Sequence, residues 1–408
     1  MPASADAIPM LPGLSPIHGR TIEARFDAAL MSSDGGLLAL REIERRTGLA
    51  ARLAGCIADP RAPERIAHRL DEIIRFRMLM IAAGYEDGND ADSLRADPLF
   101  KLAMERLPDH ADLCSQSTVS RTENLPDRHA LLRMGRAMVD HYCQSFRQVP
   151  RRIVLDIDDT FDAVHGGQQL RLFNAHHDAY GFQPIVVFDG DGRMIAALRE
   201  NWPRVEILLR AESHYCTPEV LRFCRAERLD YVLGVAPTST LRKHVAALEA
   251  STTARSAKVR DEKLRRFKDF YDGAASWDRV EAGPRFVVTS LANVRTRTVY
   301  QDLYCARGQA ENHIKAFKTH LAADRTSCCR AAANQMRLFL HIGAYWLMWN
   351  LRGLMPSRSS WRVAQFDTLR RRLIKLAARV EVLKRKVRLH LPHCWNRMTN
   401  GRVSAADT

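Results

Sequence analysis

The sequence predicts a mixed α/β fold in which a helical block precedes a sheet and further helices follow it. Three observations carry this expectation. From Ser32 to Phe146 apolar residues recur at three-to-four spacing, with no strand signal between them. At Arg151 the texture changes to β-branched apolar runs, first in apparent hairpins and then alternating with helices. From Tyr304 onward the helical period returns.

The helical block is read from LLALREIERRTGLAARLAG, RIAHRLDEIIRFRMLMIAAG and HALLRMGRAMVDHYCQSF. Between the last two, DLCSQSTVSRTENLP allows Ser115 or Ser117 to cap a short helix that presents Thr118, Ser120 and Arg121 outward. That helix fits the second helix of a helix-turn-helix and a plain connector about equally well. The sheet begins with RRIVLDIDDTF, passes a turn signal at His165-Gly166-Gly167 into QQLRLFNA, and continues as PIVVFDGDGRMIAAL, a hairpin around Gly190-Asp191-Gly192. RVEILLRAESHY reads as a strand ending at Glu212, PEVLRFCRAERL as a helix and YVLGVA as a strand. A polar stretch from Ser251 to Glu281 precedes one more strand, RFVVTSL.

The apolar segment MRLFLHIGAYWLMWNLRGLM is interrupted by Arg337, His341 and Arg352, so it is expected to be a buried helix and not a bilayer span, with Trp346 and Trp349 in the core. The final expected helix, FDTLRRRLIKLAARVEVLKRKVRLHL, places Leu369, Leu373, Leu376, Val380, Leu383 and Val387 on one stripe. Arg370, Arg371, Lys384, Arg385 and Lys386 fall elsewhere on it, as a face for phosphate or a docking partner.

Charge narrows the partners. Lys and Arg number 62 against 47 Asp and Glu, a formal net charge of +15 that suits a polyanion. Nine cysteines, an odd number with no Cys-x-x-Cys pair, fit neither a disulfide framework nor a zinc knuckle, and point to a reducing cytoplasm. The opening MPASADAIPMLPGLSP lacks a basic n-region and is broken by Pro2, Pro9, Pro12 and Pro16, so it reads as a loose arm and not as a signal peptide.

Chemistry enters at VLDIDDT, Val154 to Thr160, where three carboxylates end an apolar run. Phosphatases of the haloacid-dehalogenase type carry an Asp-x-Asp-x-Thr nucleophile loop; metal-dependent nucleases and transposases carry a strand-borne Asp. The phosphatase reading requires a doubly wound domain, whereas VVFDGDG follows too soon and a long helical block precedes the sheet. The second reading gains from YCARGQAENHIKAFKTHL. At about 100° per residue, Tyr304, Arg307, Glu311 and Lys318 fall within an arc of about 60°, beside an apolar stripe of Ala306, Ala310, Ile314, Phe317 and Leu321. On spacing alone an Arg-Glu pair at i and i+4 of an amphipathic helix accounts for it. Joined to a strand-borne Asp and a second acid ending a later strand, the same Glu completes a set of hard oxygen donors that suits two divalent ions.

LDIDDT, HGGQQLRLFNAHHDAYGFQP, ILLRAESHYCTPEV, RGQAENHIKAFKTHLAADRTSC and ANQMRLFLHIGAYWLMW resemble the DDE transposases of bacterial insertion sequences, in particular the IS-thirteen-eighty group. IAAGYEDGNDADSLRADPLFK and SQSTVSRTEN are similar to the same group, so the resemblance runs over nearly the whole chain. It includes the Tyr-x2-Arg-x3-Glu-x6-Lys signature, met by Tyr304, Arg307, Glu311 and Lys318. The resemblance implies an RNase H-like catalytic core with a β-rich insertion, a helical N-terminal DNA-binding domain and a helical C-terminal region. On this chain that places an arm at 1–31, the DNA-binding domain at 32–147 and the core at 148–240 with 300–355. The insertion then falls at 241–299 and a basic helical region at 356–408.

It further implies Asp158, Glu212 and Glu311 as catalytic metal ligands for magnesium or manganese, with Tyr304, Arg307 and Lys318 contacting DNA. The implied partners are double-stranded DNA at the element's terminal inverted repeats, target DNA, and further copies of the chain on DNA. No membrane is implied; the expected location is the bacterial cytoplasm, at the nucleoid when bound. Within the motif, Asp156 and Asp158 share a strand face and Asp159 points away. Relatives carry Arg-Ala-Asp-Ser-His where this chain has Arg-Ala-Glu-Ser-His, so Glu212 stands in the place of an Asp. The added methylene, a short LRENW connector and an abridged segment from Trp277 to Pro284 lead to an expectation of weak or absent activity, the alternative being a non-catalytic DNA-binding remnant.

Overall fold

A computed structural model describes residues 15–20, 30–164, 166–190, 201–256, 266–268 and 285–392. The helical period of the first block becomes α1 (Leu37–Thr47), α2 (Leu49–Gly55), α3 (Leu70–Ala83), α4 (Ala91–Leu94), α5 (Pro98–Ala103), α6 (Gln116–Glu123) and α7 (Arg128–Gln144). Local chemistry sets the ends. Gly48, at φ +61°, closes α1 and opens α2. Asp97 caps α5 by accepting from the Leu99 and Phe100 amides, with Pro98 in the first turn. Asp127 caps α7 through the Ala130 amide at 2.7 Å.

α3 is buried along most of its length and packs on α11 (Ala331–Gly353), where Met78 fills the space that Gly343 leaves open. Trp346 and Tyr345 on α11 are fully covered, as the interrupted apolar segment leads one to expect. Among the described residues no helix is long and apolar enough to cross a membrane. The Ser/Thr-rich α6 is tied inward by Glu123, whose carboxylate accepts from both Arg77 on α3 and Arg337 on α11. Arg121 faces solvent, while Thr118 and Ser120 are half-buried.

The main sheet has five strands in the order β6-β2-β7-β8-β9. These are β2 (Arg152–Asp159), β6 (Ile185–Asp189), β7 (Glu206–Ala211), β8 (Asp230–Val235) and β9 (Phe286–Thr289). β2, β7 and β8 run parallel; β6 and β9 are antiparallel edges. Helix α8 (Pro218–Ala226) makes the β7–β8 crossover, with Thr217 capping it. A smaller sheet, order β3-β5-β4, is built from Asp162–Ala163, Ala179–Phe182 and Leu172–Asn174. One apolar core runs from the N-terminal helices through Ile153, Val186 and Phe188 of the sheet to Phe317, α11 and Phe366.

Of the expected insertion at 241–299, the described residues hold most of α9 (Ser239–Ser256) and the strand β9, which belongs to the main sheet; 257–265 and 269–284 lie outside the described residues. The return strand of the Gly190 hairpin, most of LRENW and the segment from Trp277 to Pro284 lie outside the described residues.

The final helix stops early. After α12 (Phe366–Leu369) and a wider π-type turn to Ile374, the chain forms β10 (Ala378–Leu383) and β11 (Lys386–His390), an antiparallel hairpin. ARVEVL and KVRLH alternate at period two, and Ala378 and Val380 turn inward onto Leu99 while Arg379 faces out. The apolar residues satisfy both periods, and tertiary pairing decides: β1 (Met31–Ser32) hydrogen-bonds to β10. Of the expected basic face, Lys384, Arg385 and Lys386 are exposed at the hairpin tip. Arg370 is instead largely buried and donates to the Ala82 and His320 carbonyls.

Gly35 and Gly36 make this docking possible. Their amides donate to Leu376 O at 2.7 Å and Ile374 O at 3.1 Å, and a Cβ on Gly36 would lie 1.7 Å from the Leu373 carbonyl oxygen. Gly36→Ala is therefore expected to lower the free energy of unfolding by about 1–3 kcal/mol. Urea denaturation checks it; an unchanged midpoint would contradict this packing.

Candidate active site

The site forms where parallel strands β2 and β7 end side by side. Their last register pair is Ile157 with Ala211, so Asp158 and Glu212 are the next residues on neighbouring strands. One pair back, Asp156 is opposite Arg210. Both are buried, and the guanidinium grips the carboxylate through two bonds of 2.7 Å. Burial pushes the Asp156 carboxyl up, while Arg210 pulls it back. This arrangement removes Asp156 as a nucleophile: it is the residue a phosphatase would need free, and both its oxygens are held by Arg210.

Arg210 also donates to Leu303 O at 2.9 Å, fixing the start of a long irregular helix across the sheet's edge. That helix runs through Thr298–Tyr304 in π-type turns, Cys305–Arg307 in a tight turn, α10 (Gly308–Lys315), and Ala316–His320 again in π-type turns. Wide turns of this kind concentrate at functional sites. Along it the Tyr-Arg-Glu-Lys spacing acts as a docking register. Tyr304 lies against β8 at Gly234, where a Cβ would come within 2.5 Å of its hydroxyl. Arg307, 6% exposed, donates to Asp158 Oδ2 at 3.1 Å and to Glu212 Oε1. Lys318 donates to Phe161 O and lies 3.6 Å from Asp162.

The guanidinium of Arg307 thus bridges the two strand-end acids instead of pairing with Glu311 one turn on. Glu311 is exposed on the helix between the two anchored positions. Desolvation raises the Asp158 carboxyl, Arg307 lowers it and Glu212 raises it. Asp158, Arg307 and Glu212 are joined directly, Tyr304 lies beside them on β8, and Lys318 binds past the end of β2 at Phe161 and Asp162. No contact joins Glu311 directly to that cluster among the described residues.

Two residues outside the expected set stand within it. Asp159 Oδ1 is 2.7 Å from His214 Nε2, and its other oxygen accepts from Gln183. One donor atom each from Asp158, Asp159 and His214 lie within 4.8 Å of one another. Strand alternation argues against Asp159, but alternation lapses where β2 ends. His214 could have been found from its place two residues after Glu212, in the tight turn that follows β7. Oxygen donors with one imidazole are a donor set that fits a divalent cation, and Arg307 marks the same edge as one that binds positive charge. The trio His176, His177 and Asp178 forms no such group: His177 stacks on Phe161, with centroids 4.3 Å apart, and turns its edge to His176.

Asp162 supplies a pH signature. It is 2% exposed, one carboxylate oxygen has no hydrogen-bond partner, and burial pushes its carboxyl up to about 7 against the opposing pull of Lys318. Unfolded, it titrates near about 3.9. Between those values the folded state holds a proton that the unfolded state has lost, so this contribution to stability falls as pH rises from about 4 to about 7 and is flat above. Asp162→Asn is expected to remove a slope of about 1 kcal/mol per pH unit, measured as unfolding free energy from pH 5 to 8. Parallel pH curves for the two proteins would contradict the buried, protonated state.

A family model described as Transposase DDE domain group 1 matches residues 14–199 and 192–400. No curated protein matches the chain. Among solved structures, a piggyBac transposase synaptic complex with hairpin DNA is similar at 12% identity and a TM-score of 0.35, over 81% of this chain and 84% of that one.

Proposed function

The chain belongs to the Transposase DDE domain family, and on that premise we propose that it is an insertion-sequence transposase that binds element ends and performs metal-dependent DNA strand cleavage and transfer. The observation that carries the reading is the Asp158–Arg307–Glu212 bridge at the ends of adjacent parallel strands. It collects two acids that need a cation and already share one. The assignment proposed is Asp158, Glu212 and Glu311 for magnesium or manganese, on an RNase H-like core of the kind found in bacterial insertion-sequence enzymes. When bound, such ions activate an attacking oxygen and stabilise a leaving one in phosphodiester chemistry.

The chain's own residues do the rest. Arg307 neutralises Asp158 and Glu212 until cation and DNA arrive, and then serves a phosphate. Lys318 and Tyr304, placed on the same helix, hold the DNA backbone on either side of Glu311. The net charge of +15 and the exposed Lys384, Arg385 and Lys386 add sequence-independent attraction to terminal repeats and target DNA. Assembly of further copies on DNA, in the bacterial cytoplasm, completes the reading.

Glu212 limits this copy. Its extra methylene moves the carboxylate by on the order of 1 Å, against the near-ideal octahedron that magnesium requires. A non-catalytic DNA-binding role is the second reading, and the same residue favours it.

Cleavage of DNA carrying the element's own ends separates the two. Glu212→Asp is expected to cleave at least about tenfold faster than the unmodified chain, the loss of about 1.4 kcal/mol in barrier that a better ligand brings. Asp158→Asn should abolish cleavage while leaving DNA affinity within about twofold, and affinity should fall steeply with salt. Cleavage by the unmodified chain at the rate of Glu212→Asp would refute the limit on this copy. No cleavage by either would leave the DNA-binding reading.

A further inference from the structure

We infer that Asp159 and His214 join Asp158 as ligands of one divalent cation, giving this chain a metal centre of mixed carboxylate and imidazole character. The inference deepens the transposase reading and rests on it only for the use to which the ion is put.

Three donor atoms, one from each residue, already lie within 4.8 Å of one another. They come from two elements that converge: the last two residues of β2 and the tight turn Ser213–Tyr215 after β7. In an octahedron with bonds of about 2.1 Å, adjacent donors are about 3.0 Å apart and opposite ones about 4.2 Å. The 2.7 Å between Asp159 Oδ1 and His214 Nε2 must open by a few tenths of an ångström to match adjacent positions, and the 4.8 Å bound on the other separations lies a little above the spacing of opposite ones.

The surroundings support ligation. Arg307 engages Asp158 through Oδ2, while Oδ1 accepts only from the adjacent Asp159 amide, at 3.0 Å, among the described residues. Gln183 and Tyr215 donate to the Asp159 carboxylate and hold its orientation, the role that outer hydrogen bonds play around metal ligands. The His214 side chain is 50% exposed, so an ion reaches it from solvent. On binding, Nε2 turns its lone pair to the cation and the ring proton sits on Nδ1. The guanidinium of Arg307, shared by Asp158 and Glu212, already stands at this end of the sheet as one cation.

An imidazole ligand has a consequence that an all-carboxylate set lacks. It shifts preference from magnesium toward manganese and later transition ions. It also gives the ion an anchor independent of Glu212, the residue whose length is unsuited to magnesium.

Manganese titrated into the full-length protein without DNA tests the assignment. Loss of the free-ion signal in electron paramagnetic resonance gives affinity and stoichiometry, and pulsed measurements detect coupling to ligand nitrogen. The unmodified protein is expected to bind manganese with nitrogen coupling. His214→Gln should lose the coupling and weaken binding about tenfold or more, and Asp159→Asn should weaken it comparably while coupling persists in the fraction bound. Circular dichroism identifies any variant that fails to fold, and the other variant then carries the test. Manganese bound without nitrogen coupling, coupling retained in His214→Gln, or no binding at all would overturn the inference. DNA cleavage measured on the same preparation keeps the two ideas apart. Coupling with no cleavage by either the unmodified chain or Glu212→Asp leaves the ligand set standing and the catalytic reading refuted; cleavage without coupling does the reverse.

Discussion

The grip of Arg210 on Asp156 is the constraint from which the rest of the site follows. A buried carboxylate and a buried guanidinium each carry a desolvation penalty of several kcal/mol, which only close, bidentate geometry offsets. Because the two residues are register partners on β2 and β7, the pair holds those strands in the one alignment that sets Asp158 beside Glu212. The third donor of Arg210 reaches Leu303 O and hooks the irregular helix onto the sheet's edge. From that hook the helix lays Tyr304 on Gly234, Arg307 on the two acids and Lys318 on Phe161. A slip of one residue in β7 against β2 would turn Arg210 to the other face of the sheet, away from Asp156.

Charge is layered along the same line. Asp156 is spent on structure, and Asp158 and Glu212 share one arginine, so the edge keeps more negative charge than Arg210 and Arg307 neutralise. Beside them, Asp159 is about as covered as Asp158, while His214, like Glu212, is open to solvent. Such an order makes the site receptive to a cation while keeping the folded protein from the repulsion of unpaired buried acids.

Much of this was legible in residues alone, and the reasons differ by element. β2 and β7 announced themselves through apolar, β-branched runs closed by acids, and the apolar stripe beside Tyr304, Arg307, Glu311 and Lys318 marked a buried side of their helix, with Ala310, Phe317 and Leu321 covered. Beyond the resemblance, which favours Asp158, what sets Asp156 apart is Arg210, which lies 54 residues away and has meaning only once strand register is known. Asp159 was set aside by strand alternation, a rule that weakens where a strand ends. The C-terminal hairpin was hidden because Val380, Leu383 and Val387 keep a helical spacing while Ala378 and Val380, and Val387 and Leu389, alternate, and its Lys384-Arg385 turn carries no Asn or Gly. Pairing with β1, at the far end of the chain, decides between the periods.

The central claim is that Asp158 anchors a divalent cation at the ends of β2 and β7. Anomalous scattering at the manganese edge, from crystals of the full chain grown with manganese and end DNA, tests it directly. The expected map has a peak within bonding distance of an Asp158 oxygen, with Arg307 moved from its bridge to a phosphate. Manganese bound only elsewhere, with Arg307 still joining Asp158 to Glu212, would contradict it.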